Sequence, residues 1–438
     1  MHLLSVLQPS QSSEMNLKGM SSDLLAKILN PASVAILGAS ARGDKRGFII
    51  LDNLIKGGYT GRIYPVNPNI DRIGALRVYP SLSSLPEVVD LAAVVLPADL
   101  VPEVIEEAVE LGVPGAVITS VGVRKLPPHD GMRIIGPNSI GIYNARSKLN
   151  LTISTTIHGV TPKTGSGVVL LSQSGGVGVA LVKEGLDTGS PVDLLIHTGD
   201  ELDVDLLDVL CYAGTDPANR AILLYLEEIR RGREFIESIG RFKEGRFLAA
   251  VKIGRSRAGS AAAVSHTGAV AGDFRVYEGV FRSQGIIIAR SSFDLLALAR
   301  AHTLKKPDRI YILTNSGGMG IELADLLADE GVELRDDAVV DLGVIPLPLY
   351  PSVYRDAIER YSKVRDRVLF VVVTVGPALS SELVKTLIEL KERWGREIVV
   401  LSVKTKDRDL ERLLNEHGVP TYTRLEDAAG VIARLIKR

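Results

Sequence analysis

This sequence predicts an α/β protein built from doubly wound units, and three observations predict it. From Ser33 onward, short runs rich in Val and Ile alternate with amphipathic stretches, the order that gives parallel strands crossed by helices rather than a sandwich or a bundle. Two segments, LLSQSGGVGVALVKEGL from Leu170 and ILTNSGGMGIELADLLADEG from Ile312, share a strand, a Ser-Gly-Gly-x-Gly turn and a helix, which marks an internal duplication of one module. The chain has 438 residues, 46% apolar and 24% charged, an ordinary globular composition with room for about three domains at roughly 100–200 residues each.

The first set opens with strand SVAILG at Ser33 and helix GFIILDNLIKGG, then strands RIYPV and LAAVVLP, helix VPEVIEEAVELG and strand GAVITS, with IIGPNSIGI closing it near Ile142. This is one Rossmann-like domain, expected over 25–145. The second set runs from GVVLLSQSGG through VDLLIHTG, AILLYLEEI and FLAAVKIG to the helices before Ala301, and is expected to be a flavodoxin-like domain over 146–301. The third runs from RIYILTNSGG through VLFVVV and IVVLSV, a second flavodoxin-like domain over 302–438, with His302–Asp308 as the linker. Residues 1–24 have no cationic start and no 7–15-residue apolar stretch, so they are expected to be a disordered tail and not a secretory signal.

Composition excludes several function classes. Lys and Arg number 51 against 52 Asp and Glu, so no basic excess exists to collect nucleic-acid phosphates or anionic lipid. The one cysteine, Cys211, makes neither an intrachain disulfide nor a Cys-based zinc site and fits a reducing compartment, hence the cytoplasm. The apolar runs Leu91–Pro97, Val168–Leu171 and Val368–Val373 fall well short of the roughly 18 residues that cross a bilayer.

The loop Gly38–Gly47 joins the first strand to the first helix, where glycine admits a phosphate to the helix N-terminus. Its glycines do not fit G-x-G-x-x-G, and the second strand ends in Tyr64-Pro65-Val66-Asn67-Pro68 where a dinucleotide enzyme carries an acid. Nicotinamide is thereby disfavoured. Coenzyme A, whose 3′-phosphorylated ribose such an acid would repel, fits better; the bland alternative is a turn that binds nothing. Ser174, Gly175 and Gly176 place backbone donors and a helix dipole at a sheet edge, as phosphate needs, and Ser316, Gly317 and Gly318 repeat the pattern.

The run Gly254–Gly272, GRSRAGSAAAVSHTGAVAG, is made of small residues around His266 and reads as a long functional loop. His2, His129, His158, His302 and His417 are read as structural. His266, flanked by Ser265, Thr267 and Gly268, is a nucleophile able to carry a phosphoryl group. Glu227, at the end of AILLYLEE, is placed to accept its other ring N–H; His197 is a secondary candidate for the carrier. No ATP-grasp pattern and no G-x-x-x-x-G-K-[ST] occurs.

At these residues the chain resembles the nucleoside-diphosphate-forming acyl-CoA synthetases, through the α subunit of archaeal ADP-forming acetyl-CoA synthetase and more distantly that of succinyl-CoA synthetase. The likeness runs from about Leu25 through SVAILGAS, GRIYPVNP, RIIGPNSIG, LLSQSGGVG and VKIGRSRAGSAAAVSHTGAVAG, whose His266 matches the phosphorylated histidine of the family. The resemblance implies CoA contacts at Gly38, Ser40, Lys45, Gly47, Pro65, Asn67, Pro97 and Asn138. It also implies reversible acyl-CoA formation through acyl phosphate and phosphohistidine, and a separate ATP-grasp β subunit that holds ADP or ATP with Mg²⁺ in an α2β2 heteromer. Two departures stand out: Ser139 replaces the Cys of GPNC, and Asp200 replaces the Asn of GN-x-x-DVD. The Asp200 departure adds negative charge near the phosphate or carboxylate path and bears on substrate choice. Ser139, with the short stretch between Ser120 and Arg133, leaves a non-catalytic CoA-binding regulatory protein as the alternative, and a nicotinamide oxidoreductase is the third class.

Overall fold

The computed structural model describes residues 23–267, 272–364, 366–404 and 407–437, without the side chains of 264–267. The expected tail lies outside the described residues but for 23–24, which begin a helical segment, 23–29. No helix among the described residues is long and apolar enough to cross a membrane.

The first sheet contains β1 (Ser33–Leu37), β2 (Arg62–Val66), β3 (Leu91–Val94), β4 (Gly115–Ile118) and β5 (Arg133–Ile135) in the order β2-β1-β3-β4-β5, all parallel. Strands β1, β3 and β4 are buried at every position. That is why they read as unbroken apolar runs and not as alternating ones: helices cover both faces. Helix α1 (Arg46–Gly57) buries Ile49, Ile50, Leu51 and Leu54, and α2 (Val101–Glu110) buries Val101, Ile105 and Ala108, the one-sided spacing of an amphipathic helix.

The second sheet contains β6 (Gly141–Asn144), β7 (Leu149–Thr152), β8 (Val168–Ser172), β9 (Leu194–His197), β10 (Ala221–Leu226), β11 (Phe247–Lys252) and β12 (Ile287–Ile288), ordered β12-β11-β10-β8-β9-β6-β7. Its five parallel strands repeat the winding of the first sheet, and β6 and β7 add an antiparallel edge. Residues 141–144 therefore belong here and do not close the first set. The chain leaves the first sheet through Gly136 at φ 106°, a cis Gly136–Pro137 bond and Asn138 at φ 56°. It re-enters at Gly141, where any Cβ would meet Leu151 O at 1.9 Å. A short, fully buried strand such as β6 carries no sequence mark of which sheet it joins.

Between these strands run α3 (Gly175–Asp187), α4 (Leu206–Thr215), α5 (Gly232–Phe242), α6 (Arg257–Thr267), α7 (Phe274–Gln284) and α8 (Ser292–Arg300). Helix α6 corrects the expectation of a loop over Gly254–Gly272 for residues 257–267, while 268–271 of that run lie outside the described residues. Ser256 Oγ accepts from Gly259 N at 3.0 Å and starts the turn, and the alanines after it are the strongest helix formers, so small size did not mean irregular backbone.

The third sheet, β13 (Arg309–Thr314), β14 (Val339–Asp341), β15 (Val368–Val375), β16 (Glu397–Val403) and β17 (Thr421–Tyr422), is parallel in the order β14-β13-β15-β16-β17. Helices α9 (Gly317–Asp329), α10 (Tyr350–Tyr361), α11 (Ser381–Glu392), α12 (Arg408–Glu416) and α13 (Leu425–Ile436) flank it. One buried apolar cluster joins the second and third sets, with Leu295 and Leu298 of α8 and Leu323 and Leu327 of α9 among its members, and Tyr422 Oη donates to Ala297 O at 2.9 Å. The connection 302–308 is anchored there by the buried Leu304. The first and second sets meet through Asn53, buried in α1, which donates to Thr152 O and accepts from Gly159 N, both at 2.9 Å.

A candidate active site at the carboxyl edges of the first two sheets

In an open parallel sheet, ligands bind beyond the carboxyl ends of the strands, where the winding reverses. In the first sheet this point is the loop from Gly38 to Gly47. Gly38 has φ 87°, and a Cβ there would meet Val95 O at 2.5 Å; at Gly47 it would meet Gly38 O at 2.1 Å. The two glycines let α1 seat its N-terminus against the loop. Asn67 Nδ2 donates to Ala39 O at 2.8 Å and Ser40 Oγ accepts from Arg42 N at 3.1 Å, so both side chains brace the loop. Lys45 occupies the cap position of α1 without a side-chain cap bond, which leaves the first backbone donors for a ligand. Pro65 lies in β2 and Pro97 precedes the short turn Ala98–Leu100 at the same edge.

At the equivalent point of the second sheet, Ser172 Oγ donates to Ser174 O at 2.7 Å and accepts from Ser174 N at 3.1 Å. Ser174 caps α3 without a side-chain bond. Gly175 packs against His197 and Ile140, and nothing lies within 4 Å of a Cβ built on Gly176, so the backbone at Gly176 faces open space. His197 is a buried structural residue: its Nδ1 accepts from Ile140 N at 2.8 Å, and burial pushes its pKa down to about 4. With Nδ1 engaged by Ile140 N and the ring buried, His197 braces the crossing between the two sheets.

Ser139 is buried, donates to His197 O at 2.6 Å and accepts from Gly141 N at 3.0 Å, so its hydroxyl ties the crossing between the sheets. Asn138 Nδ2 donates to Asp200 Oδ1 at 3.1 Å. The Asp200 departure thus gives Asn138 a partner within the chain.

These edges enclose a cavity of about 1140 Å³. Asn138, Ser174, Gly175, Gly176 and Glu227 line it together, beside Arg46 and Arg124. Gly38, Ser40, Lys45, Gly47, Pro65, Asn67 and Pro97 are not in its lining and stand along the first sheet's own edge. Ser316, Gly317 and Gly318 are not brought to it either, and a Cβ on Gly317 would meet Asp341 Oδ2 at 2.5 Å; a carboxylate there opposes an anion. His266 lies in the last turn of α6, and its side chain is outside the described residues.

The cavity also holds residues that sequence reading missed. Gln173 accepts from the backbone of Glu227 and donates to Glu201, and Thr198 Oγ1 donates to the same Glu201 oxygen at 2.7 Å. Burial raises the pKa of Glu201, and Arg230 Nη1 lies 3.8 Å from its other oxygen. A Gln inside a Ser-Gly-Gly motif carries no charge to draw attention; its position directly after a strand end was the available signal.

Comparisons with known proteins find relatives over nearly the whole chain. Residues 32–145 match the family model described as a CoA binding domain, and 165–302 match the succinyl-CoA ligase like flavodoxin domain. The chain is 32% identical to the acetate–CoA ligase [ADP-forming] I subunit alpha of Pyrococcus furiosus, over 94% of this chain and 97% of that one. It is 27% identical to the 4-hydroxybutyrate–CoA ligase [ADP-forming] of Nitrosopumilus maritimus, over 94% of this chain and 64% of that one. Among solved structures it superposes on the Ca. Korarchaeum cryptofilum dinucleotide forming acetyl-coenzyme A synthetase 1 in complex with phosphate and ADP with a TM-score of 0.82, at 28% identity, covering 94% of this chain and 96% of that one.

Proposed function

The chain belongs to the family of ADP-forming acetyl-CoA synthetase α subunits, and from that premise we propose that it interconverts acyl-CoA, ADP and phosphate with a carboxylate, CoA and ATP. It is an acid–thiol ligase. The observation that carries this reading is the shared cavity, in which the uncapped end of α3 at Ser174–Gly176 and the Glu227 turn meet the Asn138 corner of the CoA-type domain.

In this reading residues 25–145 hold CoA along Gly38, Ser40, Lys45, Gly47, Pro65, Asn67, Pro97 and Asn138. Residues 146–301, to which β6 is contributed, carry the phosphoryl chemistry, and 302–438 form the second flavodoxin-like unit. Inorganic phosphate attacks the thioester carbonyl, the C–S bond breaks and CoA leaves as the thiol. A ring nitrogen of His266 then takes the phosphoryl group from the acyl phosphate and releases the carboxylate. Glu227 accepts the other ring N–H, and the backbone donors of Ser174, Gly175 and Gly176 neutralise the phosphoryl charge. The third-set loop Ser316–Gly318, with Asp341 at its helix end, is given no part in this step.

A partner carrying an ATP-grasp fold and Mg²⁺ passes the phosphoryl group to ADP, two copies of each chain form the assembly, and the compartment is the cytoplasm. The family and the cavity favour this over a regulatory CoA-binding role. The test is to combine the chain with an ATP-grasp subunit, acyl-CoA, phosphate and ADP. ATP formation that needs all of them is expected; CoA binding with no ATP for any acyl group would leave the regulatory reading.

A further inference from the structure

One side chain in the cavity is tied to three strand ends at once. Gln173 follows β8; its Oε1 accepts from Glu227 N at 2.7 Å and Glu228 N at 3.1 Å beyond β10, and its Nε2 donates to Glu201 Oε1 at 3.0 Å beyond β9. The duplicated module supplies an internal comparison. In the third set Asn315 takes the same place, accepts from Val375 N at 3.1 Å and donates to Tyr350 Oη at 3.3 Å. The flanking hydroxyls match too, since Thr314 Oγ1 donates to Ser316 O at 2.8 Å and accepts from Ser316 N at 2.9 Å, as Ser172 does with Ser174. One amide-to-backbone bond between the first and third strands of the unit is therefore what the fold requires.

Gln173 does more than that. Its extra methylene reaches a second backbone N–H and a carboxyl group, and it does so in the repeat whose third parallel strand leads into acids, Glu227-Glu228, where the other repeat reads Val375-Gly376-Pro377. We propose that Gln173 is a positioning residue for phosphoryl transfer: it fixes the Glu227 turn against the α3 N-terminus by anchoring it to Glu201. This rests on the reading above, in which Glu227 orients the His266 ring.

The anchor needs a donor on the side facing Glu201. Gln173→Glu keeps both backbone acceptor bonds but sets a second carboxylate about 3 Å from Glu201 Oε1, and two such groups share one proton. The charged groups facing the pair are Arg230 and Asp205, with Glu227, Glu228 and the neutral His197 on the neighbouring strand ends. Burial already raises the pKa of Glu201, so the shared proton is held at the acid end of the working range and lost as pH rises.

The experiment mixes labelled phosphate and acyl-CoA with the wild-type chain, with Gln173→Glu and with the double variant Gln173→Glu/Glu201→Gln. It follows CoA release and label on the chain from pH 5.5 to 8.5. Gln173→Glu is expected to label near the wild-type rate at the acid end and to fall about 10²-fold toward pH 8, the scale of a 1 Å misplacement. The double variant restores the bond with donor and acceptor exchanged and removes that fall, and CoA release in the preceding step stays unchanged throughout. Superposable pH profiles for Gln173→Glu and wild type, a double variant that keeps the fall, or a parallel loss of CoA release would each overturn the proposal. A wild-type chain that takes no label fails the underlying reading and the proposal with it.

Discussion

Replacing Gly176 by Ala separates a phosphate cradle from a structural turn. Gly176 stands in the first turn of α3, exposed, with nothing within 4 Å of an added Cβ and no positive φ to forbid one. As a purely structural position it should gain from alanine, which restricts the unfolded chain and favours the helix by about 0.5–1 kcal/mol. That is a rise of about 1–4 °C in melting temperature for a unit of this size. The same methyl group, however, projects into the cavity shared with Glu227 and Asn138, where phosphate must approach the α3 donors. Loss of one such donor lowers the rate about 10²–10³-fold. Calorimetry and phosphoenzyme yield on one preparation read both effects. A stabler protein with little label is expected. A protein that labels as wild type would refute the assignment of this helix end to phosphate, and a destabilised one would refute the reading of its open surroundings.

Further outcomes follow from the links between the first two sets. Arg133 of β5 donates to Asp203 at 3.1 Å and Asp208 at 2.8 Å, all three mostly buried, so Arg133→Ala should lower urea-unfolding stability by about 3 kcal/mol by leaving the acids short of a partner. His197 has a folded-state pKa of about 4 against an ordinary value near 6.5. Its contribution is present above about pH 6.5 and is lost as pH falls toward 4, by about 3 kcal/mol, with the buried His302 acting in the same direction. His197→Asn, which keeps an acceptor for Ile140 N, should flatten that part of the stability-against-pH curve; a curve that falls as steeply would count against the burial argument. Ser139→Cys should lower stability by about 1 kcal/mol through the weakened bond to His197 O and leave CoA binding unchanged by calorimetric titration.

Much of the fold was legible because parallel strands buried on both faces write themselves as Val- and Ile-rich runs, and because β8 and β13 repeat one strand, turn and helix signature. What was not legible depended on pairing at a distance. The four residues of β6 are apolar enough for either sheet, and only Gly141, pressed against Leu151 O, records the choice. The alanines that suggested a loop around His266 are equally good helix formers once Ser256 starts the turn. In the site, Ser174, Gly175, Gly176 and Glu227 could be named from strand ends and glycines, which mark where backbone donors are exposed, whereas Asn138 comes only from the family resemblance. Gln173 and Glu201 could not be named, since their meaning lies in bonds between residues 28 positions apart. Ser139 reads in the sequence as a missing thiol and Asp200 as added charge; that each has a hydrogen-bond partner inside the chain was not legible there.

The central claim is that one histidine carries the phosphoryl group between two half-reactions, and the most direct measurement is the chemistry and position of the label. The chain with acyl-CoA and labelled phosphate should acquire an acid-labile, base-stable label that maps to His266 and is absent from His266→Ala, which still binds CoA. Label that persists in His266→Ala, or that maps to His197 or to a serine of the α3 loop, would contradict the account.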